Sequence, residues 1–265
     1  YTYEIFKKTA GDVSNSYMGV FVDPDLGNAQ DDFVGCDTVR SLGFCYTVDN
    51  NDADYGAGPP IVGIDYFEGP LDDNGNELGM SSFCYFINSG SPALADPDDA
   101  QQFRFLQEGL LTTGNACTIG GDGTVGTIPI KFAFPGNPSD PLTGWSEAQE
   151  GNTAQDRRFV QNSGPFTLNP GDPQRISIGV ITLFPANYNG CPDIDAVFGV
   201  ADDLAQNLFD NCFDIIDGPD APTLAIRELN NEIVINLVNN QGSNNFGETY
   251  QSVQEFYLEN LVAVV

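Results

Sequence analysis

Histidine is absent from the 265-residue chain, and lysine occurs at three positions only, Lys7, Lys8 and Lys131. The absence of histidine removes the most common general base and the most common transition-metal ligand of proteins. It also removes every Ser-His and Cys-His pair with which hydrolases activate a nucleophile. We therefore expect a non-enzymatic protein and predict no catalytic residue.

Basic residues are scarce, because 9 Lys and Arg stand against 38 Asp and Glu and give a formal net charge of -29. Such a charge repels phosphate backbones and anionic membranes, so we expect no nucleic-acid partner. No apolar run reaches the roughly 18 residues of a membrane helix, so no membrane insertion is expected either. The acidity has two interpretations, which are compatible: a hydrated surface in salty water, and carboxylates that converge on divalent cations.

Short segments in which apolar and polar residues alternate predict a mainly β protein. The predicted strands are 1–6, 17–22, 61–67, 82–87, 127–134, 159–161 and 175–184, the first two forming a hairpin around a turn at 10–12. Apolar residues three and four apart predict helices at 98–111 and 193–213. In the second helix the predicted apolar face consists of Ile194, Val197, Val200, Ala201, Leu204, Leu208 and Cys212.

These elements predict an antiparallel β-sandwich, jelly-roll-like, with one C-terminal amphipathic helix and long Asp- and Gly-rich loops. A Pro- and Gly-rich segment at 217–222 breaks the pattern and indicates a linker. Two further strands follow, at 223–227 and 232–238. We predict a first domain at 1–218 and the start of a second β-sandwich at 219–265, within a longer polypeptide.

The six cysteines are an even number and form no CxxC pair, which argues against zinc-ribbon and thioredoxin-type motifs. Three disulfides in an oxidising compartment are the simplest interpretation. Of the fifteen possible pairings we favour the three that close short local loops: Cys36–Cys45, Cys84–Cys117 and Cys191–Cys212.

An acidic segment at 23–58 is expected to be a long loop, held by metal and disulfides rather than by strand pairing. Calcium binds six to eight oxygens, which carboxylates and backbone carbonyls supply. The first predicted calcium site consists of Asp23, Asp25, Asp31, Asp32 and Asp37, and a weaker second site of Asp49, Asp52, Asp54 and Asp65. The alternative for the first site is a solvated loop with Asx-turns. For residues 72–77 an ordinary turn is the favoured interpretation.

Other residues suggest weaker functions. The carboxylate pairs Asp65 with Glu68 and Glu147 with Glu150 have the composition of a glycosidase site, but chance pairs are expected in so acidic a chain. Trp145 is a candidate platform for stacking on a sugar ring. The arginines at 157–158 are expected to pair with neighbouring carboxylates, because the guanidinium fork suits them.

Several strings resemble blocks of large secreted Bacteroidota proteins that the type IX secretion system exports. They are DPDLG at 23–27, DDFVGCDT at 31–38, LGFCY at 42–46, GIDYFEGP at 63–70, DRRF at 156–159, GPFTL at 164–168, ADD at 201–203 and NCF at 211–213. The segment 217–222 resembles the entry to a fibronectin-type-III-like module. Around Cys117 the chain departs from the family pattern. Residues 37–39 fit a short pattern at which some Bacteroidota O-glycosylate secreted proteins, which makes Thr38 a candidate acceptor.

The resemblance implies an extracellular or cell-surface protein and no enzymatic activity for this region. Three functions remain open. The first is a structural module, a subunit of a fibre or coat that is stabilised by calcium and disulfides and contacts other copies of itself or neighbouring surface proteins. The second is an adhesin module that binds glycans or surfaces, and the third is a two-carboxylate glycoside hydrolase.

Overall fold

A computed structural model describes residues 1–88, 91–185, 189–213, 220–230 and 232–248. The chain divides into two compact units, of which the first runs from Tyr1 to Gln206 and the second begins at Asn207. The predicted domain boundary after residue 218 lies outside the described residues. The helices and strands of each unit are therefore considered separately.

The first unit is built mostly from strands. They are β1 (Thr2–Ile5), β2 (Val13–Val22), β3 (Asp32–Asp37), β4 (Leu42–Thr47), β5 (Asn51–Asp52), β6 (Gly56–Ala57), β7 (Ile61–Glu68), β8 (Ser82–Ile87), β9 (Cys117–Thr118), β10 (Pro129–Ile130), β11 (Arg157–Leu168) and β12 (Gln174–Leu183). The helices are α1 (Ala100–Gln107), α2 (Glu147–Glu150) and α3 (Ile194–Asp210), with a 3-10 turn at Ala29–Asp31. Helix α3 runs on past the end of the first unit.

Two antiparallel sheets dominate this unit. One has five strands in the order β1-β12-β7-β4-β3, and the other has three in the order β2-β11-β8. Short two-stranded ladders join β9 to β10 and β5 to β6. The prediction of a mainly β protein with antiparallel sheets is thus confirmed.

Two sequence-based expectations about the N-terminal third are wrong. Strands β1 and β2 do not form a hairpin, because β1 pairs with β12 and β2 pairs with β11 in the other sheet. The segment 23–58 is not an unpaired loop, because it contains β3 and β4, which pair from Asp32 opposite Thr47 to Asp37 opposite Leu42. Both strands are almost wholly buried, so they belong to the centre of the unit.

Apolar side chains of both sheets meet in the main core. Tyr66 and Ile176 of the larger sheet belong to the same buried cluster as Phe83 and Phe159 of the smaller one, whose rings lie 4.9 Å apart. Burial of this kind contributes about 25 cal/mol for each Å² of apolar surface removed from water. The two sheets therefore pack face to face around a shared apolar layer.

A helix covers the outer face of each sheet. Phe198 of α3 packs with Leu42 and Phe44 in a second buried cluster. Position 63 under this helix must be glycine, because a Cβ there would lie 2.7 Å from the Phe198 ring. On the smaller sheet, Leu106 of α1 packs against a third buried cluster.

Helix α3 matches the predicted helix in position and, at Ile194 and Val197, in part of its buried face. Its buried residues are Ile194, Phe198, Gly199 and Asp202, whereas Val200, assigned to the apolar face from the sequence, is 63% exposed. The predicted and observed faces differ because the face that contacts the sheet includes Asp202, and a pattern of apolar residues leaves an aspartate out of the buried face.

The second unit contains a hairpin of β13 (Thr223–Leu229) and β14 (Glu232–Val238), followed by a 3-10 turn at Phe246–Glu248. The paired register runs from Thr223 opposite Val238 to Leu229 opposite Glu232. The two strands predicted here from alternation are confirmed.

Candidate cation site and buried carboxylates

The end of β2 and the start of β11 bring three aspartates together. Val22, the last residue of β2, pairs with Phe159 near the start of β11, so Asp23 comes directly after the one strand and Asp156 directly before the other. One carboxylate oxygen from each of Asp23, Asp25 and Asp156 lies within 4.8 Å of the others. Two residues of the first predicted calcium site thus meet a third aspartate that the sequence analysis did not assign.

Arg158 lies among these carboxylates. Its guanidinium forms ion pairs with Asp23 (Nε to Oδ2, 3.1 Å), Asp96 (Nη1 to Oδ2, 2.7 Å) and Asp156 (Nη2 to Oδ2, 3.1 Å). The expectation that this arginine pairs with neighbouring carboxylates is confirmed. Together with Asp25, the group holds four carboxylates against one guanidinium, which leaves an excess of negative charge.

Asp156 is the deepest member of the cluster, with 8% of its surface exposed. Its Oδ2 accepts hydrogen bonds from Asn88 Nδ2 and Arg158 Nη2, both at 3.1 Å. Its Oδ1 is buried and has no hydrogen-bond partner among the described residues. A buried, unpartnered acceptor is costly and calls for an explanation, and a hard cation supplies one because it prefers such oxygens.

The other three residues of the first predicted site are not part of this cluster, although Asp32 lies near enough to Asp25 for that charge to raise its pKa. Asp31 and Asp32 stand at the start of β3, whereas Asp37 stands at its end, about 17 Å away at the usual rise of an extended strand. Asp37 instead accepts hydrogen bonds from the N–H of Val39 and from Arg40 Nη1, the latter at 2.7 Å. The structure therefore corrects the predicted grouping of five aspartates around one ion.

Asp32 is fully buried, and its Oδ2 accepts the N–H of Leu26 at 3.2 Å. Burial raises the pKa of Asp32 to about 7, with a further raising effect from the charge of Asp31. The pKa of Asp31 is also raised, first by burial and then by the charges of Asp52 and Asp49, although Asn28 lowers it by a hydrogen bond. Asp32 also lies beside the thiol of Cys45.

The second predicted site does not assemble as a unit. Asp52 is buried under Gly27, and its carboxylate accepts the N–H groups of Asn28, Asp54 and Tyr55. Burial raises the pKa of Asp52, but these N–H groups outweigh it, so the net pKa is lowered. Asp52 therefore organises its own loop.

The remaining members of that second site are separate. Asp49 accepts the N–H of Asn51, and Asp54 is exposed. Asp65 pairs with Leu42, the first residue of β4. The loop that carries Asp49, Asp52 and Asp54 begins after Thr47, the last residue of β4. The length of β4 thus separates Asp65 from the other three aspartates.

Asp65 instead contacts Asp202 of α3, a residue that was not among the predicted site residues. Both side chains are buried, at 1% and 2% exposure, and their carboxyl groups lie within hydrogen-bonding reach of each other. Burial, and then the charge of Asp202, raises the pKa of Asp65. Burial also raises the pKa of Asp202, although Arg40 lowers it. No sequence signal joins these residues, since the pair depends on the docking of α3.

The carboxylates proposed for sugar hydrolysis are occupied by structural contacts. Glu147 is fully buried and pairs with Arg157, while Glu150 accepts the N–H of Gly121. Glu68 accepts the hydroxyl of Ser177, and Asp65 is buried against α3. Neither pair forms an open two-carboxylate cleft in the part of the chain described.

Trp145 is not a surface platform. It is 5% exposed, its Nε1 donates to the carbonyl of Gly121 at 3.1 Å, and its ring centroid lies 4.6 Å from that of Phe134. The predicted stacking of Trp145 on a sugar is therefore corrected, because the ring is buried in the main core. Thr38 does lie in an exposed turn between β3 and β4, where a modifying enzyme has access.

All six cysteines are free thiols, so the three predicted disulfides are corrected. Cys36 stands opposite Gly43, two residues from Cys45, and such diagonal neighbours lie about 7–8 Å apart, too far for a bridge. A 17-residue helix, about 25 Å long, separates Cys191 from Cys212.

The third predicted bridge fails for a different reason. Cys84 points towards α1, where its thiol donates to the carbonyl of Leu106, whereas the sulfur of Cys117 lies against Gly123 and Trp145. The two thiols therefore face different layers of the unit.

Comparison of the chain with known protein families, curated proteins and solved structures finds no match. The resemblance to type IX secreted proteins accordingly stays an expectation drawn from the sequence. Among the described helices, none combines the length and the apolar character that a membrane crossing requires. The chain is thus a mainly β, strongly acidic protein with one cluster of aspartates at the β2–β11 junction and one buried carboxyl pair under α3.

Proposed function

We propose that this chain is a structural module of a secreted or cell-surface bacterial protein, and that calcium fastens the junction of β2 and β11. The observation that carries the proposal is the Asp23–Asp25–Asp156 cluster, with its buried and unpartnered Asp156 Oδ1. Carboxylate oxygens this close repel one another, and a divalent cation turns the repulsion into attraction. In this proposal the two packed sheets form a jelly-roll-like sandwich.

A non-catalytic role is supported by how the buried carboxylates are used. Glu147 holds Arg157, Asp52 caps a loop and Asp65 holds α3, so these groups stabilise the fold rather than face a substrate. The chain also has no histidine. The extracellular location and the assembly with other copies, or with neighbouring surface proteins, rest on the sequence resemblance.

Calcium titration of the metal-free chain tests the proposal. A ligand that binds the native state at 100 times its Kd stabilises it by about 2.7 kcal/mol, which raises Tm by roughly 5–10 °C for a domain of this size. We expect that saturable rise on adding CaCl2 after EDTA treatment, with bound calcium in elemental analysis. An unchanged Tm in excess EDTA together with no bound metal would refute the calcium site.

Two variants localise the effect. Asp156→Asn removes the buried charge and is expected to abolish the calcium-dependent rise in Tm. Asp73→Asn, in an exposed turn, removes the same formal charge away from the cluster and should retain the full rise. If both variants respond as the wild type does, the ion binds elsewhere in the chain.

Self-association tests the assembly part separately. Sedimentation velocity of the full chain, with calcium and with EDTA, is expected to show concentration-dependent oligomers when calcium is present. A monomer at all concentrations in both conditions would contradict a fibre or coat subunit, while leaving the calcium site intact.

A further inference from the structure

We propose that Asp65 and Asp202 share one proton and act as a pH-sensitive latch that fastens helix α3 to the five-stranded sheet. The inference is independent of the calcium site, because that site lies at the β2–β11 junction of the smaller sheet, whereas this pair lies between α3 and the larger sheet. It goes beyond a purely static structural role.

The geometry of the pair carries the argument. Gly63 of the central strand β7 lies directly under the Phe198 ring of α3, so Asp65, two residues on along β7, and Asp202, one turn on along α3, face each other. Both side chains are almost wholly shielded from water, and their carboxyl groups lie within hydrogen-bonding reach. A carboxylate can only accept hydrogen bonds, so a bond between two carboxyl groups requires that one of them holds a proton. Two carboxylates in such contact cannot both ionise without strong repulsion.

One buried oxygen of each carboxyl group has no donor among the described residues, although the N–H of Tyr66 donates a hydrogen bond to the carboxyl group of Asp65. These two oxygens are Oδ1 of Asp65 and Oδ1 of Asp202. If both groups ionise, these atoms carry more charge without a donor to stabilise it. The contact between helix and sheet then changes from a hydrogen bond to a repulsion.

Neighbouring charges define the surroundings on each packed element. Asp37, at the end of β3, carries a charge that disfavours ionisation of both carboxyl groups. Arg40, in the turn that follows β3, favours ionisation of Asp202. From α3 itself comes Asp203, which pairs with Arg40 Nε at 3.1 Å and opposes ionisation of Asp202. Arg40 also pairs with Asp37 at 2.7 Å, so its charge is divided among several carboxylates.

The sign of the pH dependence follows from the raised pKa values. When the pH rises above 3.8, the ordinary pKa of an aspartate, the unfolded chain releases protons that the folded pair still holds. Stability from the latch is therefore greatest at low pH and falls as the pH rises until the pair is fully ionised. The loss is expected first in α3, because the sheet keeps its own ladder.

Two measurements on the full chain test the latch. Hydrogen-exchange protection factors of the α3 amides in the first unit are expected to fall at least tenfold from about pH 5 to pH 9, while those of β7 stay within about threefold. Carbon-13 NMR of the wild-type carboxyls is expected to show one protonated aspartate of this pair at neutral pH. Two fully ionised carboxylates at neutral pH would overturn the proposal, even if every variant failed to fold.

Matched variants separate the latch from general charge effects. Asp65→Asn and Asp202→Asn each place an amide donor opposite the remaining carboxylate, so α3 protection should become nearly independent of pH over the same range. Asp73→Asn should retain the wild-type fall. An unchanged fall in both latch variants would contradict the proposal.

Discussion

Nη2 of Arg157 lies 2.6 Å from Oε2 of Glu147, and both side chains are buried inside the first unit. The remaining oxygen, Oε1, accepts the N–H of Val34 on β3 at 2.9 Å. Burial raises the pKa of Glu147 even though Arg157 and Val34 lower it. This ion pair therefore links α2, β3 and β11, and its charges depend on each other.

Removal of one partner should be strongly destabilising. Glu147→Gln leaves the guanidinium of Arg157 buried without its counter-charge, which is expected to lower the free energy of unfolding by about 3–5 kcal/mol. Urea denaturation at neutral pH measures the change. The exposed Arg104–Glu108 pair is the control, since Glu108→Gln is expected to cost less than about 1 kcal/mol. Equal losses for the two variants would contradict this account of the buried pair.

The sequence predicts some elements well because their patterns are regular. Strands β7, β8 and β12 lie within a residue or two of their predicted bounds, since each is a short run rich in the β-branched and aromatic residues that favour strands. Strands β3 and β4 were missed because their glycines suggest a loop. Those glycines make room for aromatic rings, as a Cβ at Gly35 would lie 2.6 Å from the ring of Phe44.

The candidate site was predictable only in part. Asp23 and Asp25 were identified from their local acidity, but Asp156 reaches them through the pairing of β2 with β11, which no local pattern reveals. Asp202 was not identified from the sequence, because charged residues are rarely buried without a partner and its own neighbourhood in the sequence names none. Its partner, Asp65, lies far away in the sequence and is brought near by the packing of α3 on the sheet.

The face of α3 that contacts the sheet can be tested by truncation. Phe198 is fully buried against Leu42 and Phe44, so Phe198→Ala is expected to destabilise the first unit by about 3–5 kcal/mol. Val200→Ala, on the exposed face of the same helix, should change stability by less than about 0.5 kcal/mol. Thermal unfolding of both variants compares the two faces, and the opposite ranking would support the sequence-based face.

Cysteine labelling checks the free thiols. Only Cys191 and Cys212 are exposed, whereas the other four cysteines are buried. Without reductant, a thiol reagent should therefore modify two cysteines in the native chain and all six after denaturation. Burial also raises the pKa of Cys117 to about 11, which further slows its native reaction. No labelling after denaturation without reductant would instead indicate three disulfides.

Asp32 should make stability depend on pH in a defined direction. Because its pKa rises from 3.8 to about 7 in the folded state, the folded chain holds a proton that the unfolded chain releases in this range. Stability from this group therefore falls as the pH rises through that window. Asp32→Asn keeps an acceptor for the N–H of Leu26 but does not titrate. As the pH rises through this window, we therefore expect the free energy of unfolding of the variant to fall less than that of the wild type, by up to about 4 kcal/mol.

Asp72 gives the contrasting case for the same experiment. Hydrogen bonds from Asn76 lower the pKa of this exposed carboxyl to about 2, so its contribution is lost as the pH falls below 3.8. Urea titrations at a series of pH values for the wild type, Asp32→Asn and Asp72→Asn separate the two effects. The difference between wild type and Asp32→Asn should develop between about pH 4 and pH 7, and that for Asp72→Asn only in acid. If the Asp32→Asn profile runs parallel to the wild type throughout, the raised pKa assigned to Asp32 is wrong.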